Sequence, residues 1–419
     1  MDQKLFTELR TLYSLNWGKC NVIRIRVRMR DLVEAEALRH AVDITMKRYS
    51  YFCVELKKAV EYYFAENDRP IVITNSLSGL ELNTAASNYH LLSFSWKDNW
   101  IIMDISHALT DGTGAYEVMR TFLNYYVCFR YGDYGIRTIR HVGDEISSQE
   151  WEDPVLKADN LPIPPRLEMP AAVNLVKIAG LEDDKLPTVY SIAISENEFM
   201  RFNIDNGGSP ATMVALFLSR AIAKLFPDSE DVIRITITVN QRNALKAPLA
   251  HQPLVGGAML EYKEKMRSWP LNRQALAYRG MVLKQTTEEA VLAGVASQKR
   301  INQMILSKQN DTERVAVAQT IGDLSARILS ATVSYVGKAN FKEAEKYIRD
   351  FRLWTHSTPN SILIEISAVN GKFTLDFIQP FQSPLYLNAF LKELEENGIT
   401  YDLQDVMKLN IPDVKLPWR

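Results

Sequence analysis

The chain has 419 residues, of which 47% are hydrophobic and 24% charged, and its 49 lysines and arginines almost balance its 50 aspartates and glutamates. Such a balance argues against sustained nucleic-acid binding. The length exceeds that of one ordinary hydrophobic core, so it predicts two lobes of about 200 residues each.

Targeting, membrane and metal signals are weak throughout the sequence. The first ten residues carry charges where a signal peptide would need an apolar block. The most apolar helical stretch, residues 211–226, contains Arg220 and Lys224 and is too short for a membrane span. The three cysteines are Cys20, Cys53 and Cys128. Since they lie far apart without metal-ligand spacing, we expect reduced thiols, no metal site and a soluble cytoplasmic protein.

The first clear pattern in the chain is an arginine-rich strand. Residues 21–30 alternate between apolar side chains and the arginines Arg24, Arg26, Arg28 and Arg30. This pattern predicts a half-exposed strand with the arginines facing outward. A solvated face is the simpler interpretation, and the alternative is a surface that meets an acidic partner. A helix over residues 33–49 and a hairpin over residues 52–64 are predicted next.

A strand, a turn and a helix follow around His107. Residues 100–106 are almost entirely apolar, which predicts a strand buried on both faces. Asp111 and Gly112 favour a turn and a helix cap, and apolar side chains then recur at helical spacing to about residue 131. The strand therefore brings His107 to a sheet edge near the positive end of a helix, where a reactive imidazole is often placed. The alternative is a core histidine that is hydrogen-bonded at a strand end.

A proline-rich stretch separates two regions of regular structure. Prolines concentrate between residues 143 and 187, where they exclude long helices and strands. We therefore predict an N-terminal lobe over residues 1–165, a connection over residues 166–187 and a C-terminal lobe over residues 188–419.

The second half contains further strands and helices. A strand over residues 231–240 runs directly into Arg242. A helix is predicted to begin after Ser195, its N-cap, and others are predicted over residues 209–225, 269–279, 288–306, 315–329 and 384–396. Asn370-Gly371 separates two alternating runs, which favours a hairpin with a type I′ turn.

Two short motifs resemble those of one acyltransferase superfamily. His107-Ala-Leu-Thr-Asp111-Gly112 reads as H-x-x-x-D-G and resembles the signature of the superfamily that contains chloramphenicol acetyltransferase. Plant acyltransferases, alcohol acetyltransferases and peptide-synthetase condensation domains share that superfamily. Residues 239–242, Val-Asn-Gln-Arg, are similar to its V-N-x-R motif, whose arginine pairs with the aspartate of the first motif. The strand around Ser334 resembles a late motif of these enzymes but lacks its tryptophan and asparagine.

The resemblance implies a fold and a chemistry. The fold class would be α/β, with two chloramphenicol-acetyltransferase-like lobes, each a mixed β-sheet flanked by helices, and an active-site channel between them. His107 would act as general base, while Asp111, Gly112 and Arg242 would support the site. Ser334 would contact the oxyanion or the substrate; the alternative is a strand serine without a catalytic role.

The implied reaction is acyl transfer from a thioester to a hydroxyl or amine. Its partners would be a small-molecule acceptor and acyl-CoA or an acyl carrier protein, with acyl-CoA as co-substrate and no tightly bound cofactor. One alternative is a condensation-domain-like protein acting on carrier-bound substrates, although Ser106 stands where such domains usually carry a second histidine. Another is a catalytically silent binding protein of the same fold. A hydrolase is not supported, since no G-x-S-x-G motif is present.

Overall fold

The fold contains two β-sheet lobes, each flanked by helices. A computed structural model describes residues 3–4, 12–15, 21–59, 61–132, 139–163, 169–182, 186–357 and 361–416. The fold class is α/β, as the resemblance implied, and each lobe has its own hydrophobic core.

The elements are numbered in chain order. The strands are β1 (Gln3–Lys4), β2 (Val22–Met29), β3 (Val54–Lys58), β4 (Tyr62–Glu66), β5 (Ile73–Asn75), β6 (Leu92–Lys97), β7 (Trp100–Ser106), β8 (Thr188–Ser195), β9 (Ile233–Asn240), β10 (Val255–Tyr262), β11 (Ala331–Tyr335), β12 (Ile348–Trp354), β13 (Ile362–Val369), β14 (Lys372–Gln379), β15 (Asp402–Leu403) and β16 (Met407–Lys408). The α-helices are α1 (Ala35–Arg48), α2 (Gly112–Tyr131), α3 (Pro154–Lys157), α4 (Leu175–Ile178), α5 (Glu196–Asp205), α6 (Pro210–Leu225), α7 (Leu271–Gln285), α8 (Glu288–Leu306), α9 (Asp311–Arg327) and α10 (Leu385–Glu396).

The first lobe is built on a five-stranded sheet in the order β12-β2-β7-β6-β5, with α1 and α2 in its core. Strand β5 runs parallel to β6, and the other pairs are antiparallel. A separate three-stranded sheet has the order β1-β4-β3. Strand β12 is contributed by the second half of the chain, a crossover that the sequence did not indicate. The predicted lobe bounds at residues 1–165, 166–187 and 188–419 stay a prediction.

The second lobe is built on an eight-stranded sheet. Its order is β10-β9-β11-β13-β14-β8-β15, with β16 also paired to β8. Strand β11 runs parallel to both β9 and β13, whereas the remaining pairs are antiparallel, so this sheet is also mixed. Helices α6 and α10 pack on it, and nearly every side chain in the middle of α6 is buried.

The hairpin between β13 and β14 confirms the turn prediction. Val369 pairs with Lys372, so that Asn370 and Gly371 alone form the connection. Their φ angles are 49° and 74°, and a type I′ turn requires positive values at both positions.

The arginines of β2 contradict the prediction of a solvated face. Strand β2 is an inner strand, and the side chains of Arg24 and Arg26 are buried. Arg24 donates from Nε and Nη2 to the carboxylate of Asp104 at 2.7 and 2.9 Å. The Arg26 guanidinium lies between the rings of Trp100 and Trp354, 4.5 and 4.4 Å from their centroids. The alternation marked a polar face correctly, but partners from distant segments cover that face.

In the described ranges, no helix combines the length and the apolar character needed to cross a membrane. No cluster of three or more histidine, cysteine, aspartate or glutamate side chains in these ranges could hold a metal ion. The thiols of Cys53 and Cys128 form no disulfide in this part of the chain. Cys20 lies outside the described residues.

Candidate active site

A cavity of about 270 Å³ lies between the two lobes. The first lobe contributes His107 and Gly112 to its wall. The second lobe contributes Asn240, Ser334 and Glu365. The structure therefore places the predicted base and the predicted strand serine at one cavity, which both lobes are needed to form.

Backbone hydrogen bonds hold the turn that carries His107. Strand β7 ends at Ser106, and α2 begins at Gly112. The N–H of His107 donates to the carbonyl of Asn21 at 3.0 Å, and the N–H of Leu109 donates to that of Ser106 at 3.0 Å. These bonds hold the backbone on both sides of the half-buried His107. They fix the position of this residue relative to the end of β7.

Asp111 is the N-cap of α2 and is completely buried. Its Oδ1 accepts from the N–H of Gly114 at 3.1 Å and from Arg242 Nη2 at 2.9 Å. Its Oδ2 accepts from Arg242 Nη1 at 2.8 Å and from the N–H of Leu254 at 2.9 Å. Since each carboxylate oxygen has two lone pairs in its plane, these bonds use the acceptor capacity of Asp111. Asp111 is thus bonded to the second lobe and has no lone pair left for the imidazole of His107.

All five N–H donors of Arg242 are hydrogen-bonded. Besides the two bonds to Asp111, its Nε donates to the carbonyl of Ala250 at 2.7 Å, and Nη2 donates to that of Gln252 at 3.0 Å. Nη1 donates to Asn240 Oδ1 at 3.3 Å. A guanidinium has five N–H groups in a fixed plane, so this arginine ties the loop after β9 to the start of α2.

The glycines of the turn are required by close contacts. A Cβ on Gly112 would lie 2.6 Å from Val336 Cγ2 in the second lobe. A Cβ on Gly114 would lie 2.1 Å from Thr110 Oγ1 and 3.0 Å from the carbonyl oxygen of His251. The Thr110 hydroxyl also donates to that carbonyl at 2.7 Å. Both glycines therefore let the second lobe approach the histidine turn.

Ser334 faces a buried carboxyl group that we did not predict. Ser334 of β11 and Glu365 of β13 are register partners on parallel strands, and both side chains line the cavity. Thr355 Oγ1 donates to Glu365 Oε1 at 3.1 Å. Burial raises the pKa of Glu365 to about 7. One signal could have revealed it, because Glu365 is the only charged residue in the apolar run over residues 362–369.

A second group missed by the sequence analysis surrounds His251. Its Nε2 accepts from Arg140 Nη1 at 2.9 Å, because arginine can only donate, and its Nδ1 therefore carries the proton and donates to the Tyr51 hydroxyl at 3.1 Å. Tyr51 donates in turn to Glu150 Oε2 at 2.9 Å. Burial, with the charges of Arg140 and Arg242, lowers the pKa of His251 well below its usual value. This neutral imidazole supports the loop that carries Arg242.

Comparisons with known proteins give matches in structure only. No protein-family model matches the sequence, and no curated protein does. Polyketide synthase associated protein 5 from Mycobacterium tuberculosis is 13% identical, with a TM-score of 0.62, and the match covers 94% of this chain and 98% of that one. TRI101 from F. graminearum, in complex with coenzyme A and T-2 mycotoxin, is 10% identical, with a TM-score of 0.63 and coverage of 96% and 99%.

The first condensation domain of the CDA synthetase is also similar. It is 11% identical, with a TM-score of 0.59, and the match covers 94% of both chains. At these identities the likeness is one of fold, and it extends over nearly the whole length of each protein. The chain therefore has the two-lobed fold of the chloramphenicol acetyltransferase-like and condensation-domain proteins, as the resemblance implied.

Proposed function

We propose that this protein is an acyltransferase that moves an acyl group from a thioester to a hydroxyl or amine, with His107 as the general base. The observation that carries the proposal is the position of His107. It lines a cavity between the lobes, on a turn that the Asp111–Arg242 ion pair connects to the second lobe.

The chemistry needs one base and a fixed approach of two reactants. The imidazole of His107 takes the proton of the acceptor while the acceptor oxygen or nitrogen attacks the thioester carbonyl. The tetrahedral intermediate then collapses, the carbon–sulfur bond breaks, and the thiolate receives the proton from the imidazolium. No acyl-enzyme forms on this route. Asp111 has no part in the proton transfer, because its oxygens are already bonded to other donors.

The structural neighbours support acyl-CoA as donor and a small molecule as acceptor. TRI101 structures hold coenzyme A with T-2 mycotoxin or with deoxynivalenol. The likeness to the condensation domain of the CDA synthetase supports a second donor, an acyl group on a carrier protein. Both donors present a thioester on a pantetheine arm, so the same base and cavity serve either one.

The test is release of free thiol from a panel of acyl-CoA and acyl-carrier thioesters, with pooled alcohols and amines as acceptors. We expect His107→Ala to lower turnover by roughly two to four orders of magnitude, the usual range for a lost general base. Its melting temperature should stay at the parent value. His141→Ala is the matched control, because His141 lies on the surface beside Asp144 and outside the cavity.

Two outcomes would contradict the proposal. A parent protein that binds coenzyme A but releases thiol from no thioester would support the catalytically silent binding protein instead. Normal turnover in His107→Ala would remove the histidine from the mechanism.

A further inference from the structure

Glu365 differs from the other buried carboxylate on the neighbouring strand. It is 4% exposed and lies between Ser334 of β11 and Asp376 of β14 in the strand register. Arg352 Nη1 lies 3.3 Å from Asp376 Oδ1 and balances its charge. Trp354 Nε1 donates to Asp376 Oδ2 at 2.6 Å. Within the described part of the chain, no lysine or arginine pairs with Glu365, and none lines the cavity. The cavity therefore contains one carboxyl group without a counter-ion.

The register sets Ser334 beside Glu365 on one face of the sheet, where a hydrogen bond between the two side chains can run in either direction. A serine hydroxyl has a single proton, whereas an ionised carboxylate can only accept. When Glu365 is ionised, the Ser334 proton is therefore committed to it. When Glu365 is neutral, its own O–H can donate to Ser334 Oγ, and the Ser334 proton is free to point into the cavity.

We propose that Glu365 is a positioning residue for Ser334, and that its neutral form directs the Ser334 hydroxyl toward the acyl oxygen of the thioester. The negative charge that develops on this oxygen during attack would then meet a donor from the second lobe, opposite His107. No bond other than a hydrogen bond changes at Glu365. The inference rests on the proposed acyl transfer.

The surroundings of Glu365 determine its titration. The groups around it are Ser334 on β11, Thr355 and His356 after β12, Asp376 on β14 and Tyr116 on α2, and Tyr335 and His107 also line the cavity. Burial is the largest effect and disfavours the anion, and the charge of Asp376 acts in the same direction. Hydrogen bonding by Ser334 and Thr355 acts in the opposite direction, and each of these two effects is smaller than that of burial but larger than that of the Asp376 charge.

The expected signature is a falling limb in the pH–rate profile. Turnover in the parent should decline above pH 7 as Glu365 loses its proton and takes that of Ser334. At pH 8 about one tenth of a group with a pKa of about 7 remains protonated, so the rate at pH 8 relative to pH 6 should be roughly tenfold higher in Glu365→Gln than in the parent. The carboxamide can donate to Ser334 but cannot ionise. Glu365→Ala, which can do neither, should lose turnover at both pH values.

Ser334→Ala tests whether Glu365 acts through the serine. Loss of one oxyanion donor should lower kcat by about 10²–10³. The decline in rate above pH 7 should also disappear in Ser334→Ala. Adding Glu365→Gln to this variant should then leave its pH–rate profile unchanged. Glu393→Gln is the control, because Glu393 is a buried glutamate that pairs with Arg220, away from the cavity, and its loss should leave the limb in place.

An infrared measurement gives a readout that does not need turnover. The stretching band of a protonated carboxyl group should be present at pH 6, decline toward pH 8 and be missing in Glu365→Gln. If the parent turns over thioesters but keeps its falling limb in Glu365→Gln, or lacks that band at pH 6, the inference is overturned and the proposed function stands. A parent that releases no thiol from any thioester overturns both.

Discussion

Asp111 illustrates how a carboxylate next to a histidine can serve position rather than proton transfer. Its four hydrogen bonds lead to the first turn of α2 and to the second lobe. The residue is buried together with Arg242, which is 4% exposed. A buried ion pair of this kind is costly to break on one side, because the remaining partner keeps a charge that neither water nor protein compensates.

We expect Asp111→Ala and Arg242→Ala each to lower the free energy of unfolding by roughly 3–5 kcal/mol. The double variant should lose less than the sum of the two single losses, because it leaves no charge unpaired. Denaturant unfolding of the four proteins measures this coupling. His107→Ala is the comparison variant and should unfold like the parent. Strictly additive losses, or an Asp111→Ala protein as stable as the parent, would show that the ion pair does not act as a unit.

Single residues also show what the sequence could predict about the site. His107, Asp111, Gly112 and Arg242 belong to local motifs, and the structure brings them together at the turn between β7 and α2. Their roles remain predictions that the variants above test. The single charge in its apolar run marks Glu365 as unusual, but its position beside Ser334 depends on the register of β11 and β13, which no local pattern encodes.

At the scale of elements, the unit of β7, turn and α2 was predictable because it is local. Apolar residues define the strand, Asp111 caps the helix, and both can be read within one stretch of sequence. The β13–β14 hairpin was predictable for the same reason. Strand β2 was not, since its alternation shows that one face is polar but not that Asp104, Trp100 and Trp354 cover it.

The contact between the histidine turn and the loop after β9 can be tested with glycine variants. In Gly114→Ala the new Cβ would press on Thr110 and on the backbone carbonyl of His251, which has little freedom to move. We expect a loss of roughly 1–3 kcal/mol in the free energy of unfolding, as for other overpacked sites.

Gly294→Ala is the matched control for this substitution. Gly294 lies inside α8 with no atom within 4 Å of its added Cβ, so alanine should stabilise the helix by about 0.5–1 kcal/mol. Equal effects of the two substitutions would show that the close contact at Gly114 does not constrain the turn.

At the scale of the whole molecule, the proline-rich stretch over residues 143–187 is not uniform. Its first part is anchored. Arg48 Nη1 and Nη2 donate to Oε2 and Oε1 of the buried Glu150, each at 3.0 Å. Further on, Ile163 is 81% exposed. The proline-rich composition predicted a connection here but could not distinguish these two parts.

We therefore expect limited digestion with a protease of broad specificity to cut first between residues 157 and 163. Gel electrophoresis and mass spectrometry of the earliest fragments would locate the cut. The Glu150→Gln variant should extend the sensitive region toward residue 147, because Arg48 would lose its anionic partner. A first cut within α2 would contradict the predicted organisation of the lobes.

Strand β12 has a consequence for how the molecule is made. It completes the first sheet by pairing with β2, yet it follows most of the second lobe in the chain. A nascent chain leaving the ribosome therefore exposes one edge of β2 until residue 354 has been synthesised. Long-range pairing of this kind slows folding, and open strand edges promote aggregation. The first sheet can therefore be completed only after most of the second lobe has been synthesised.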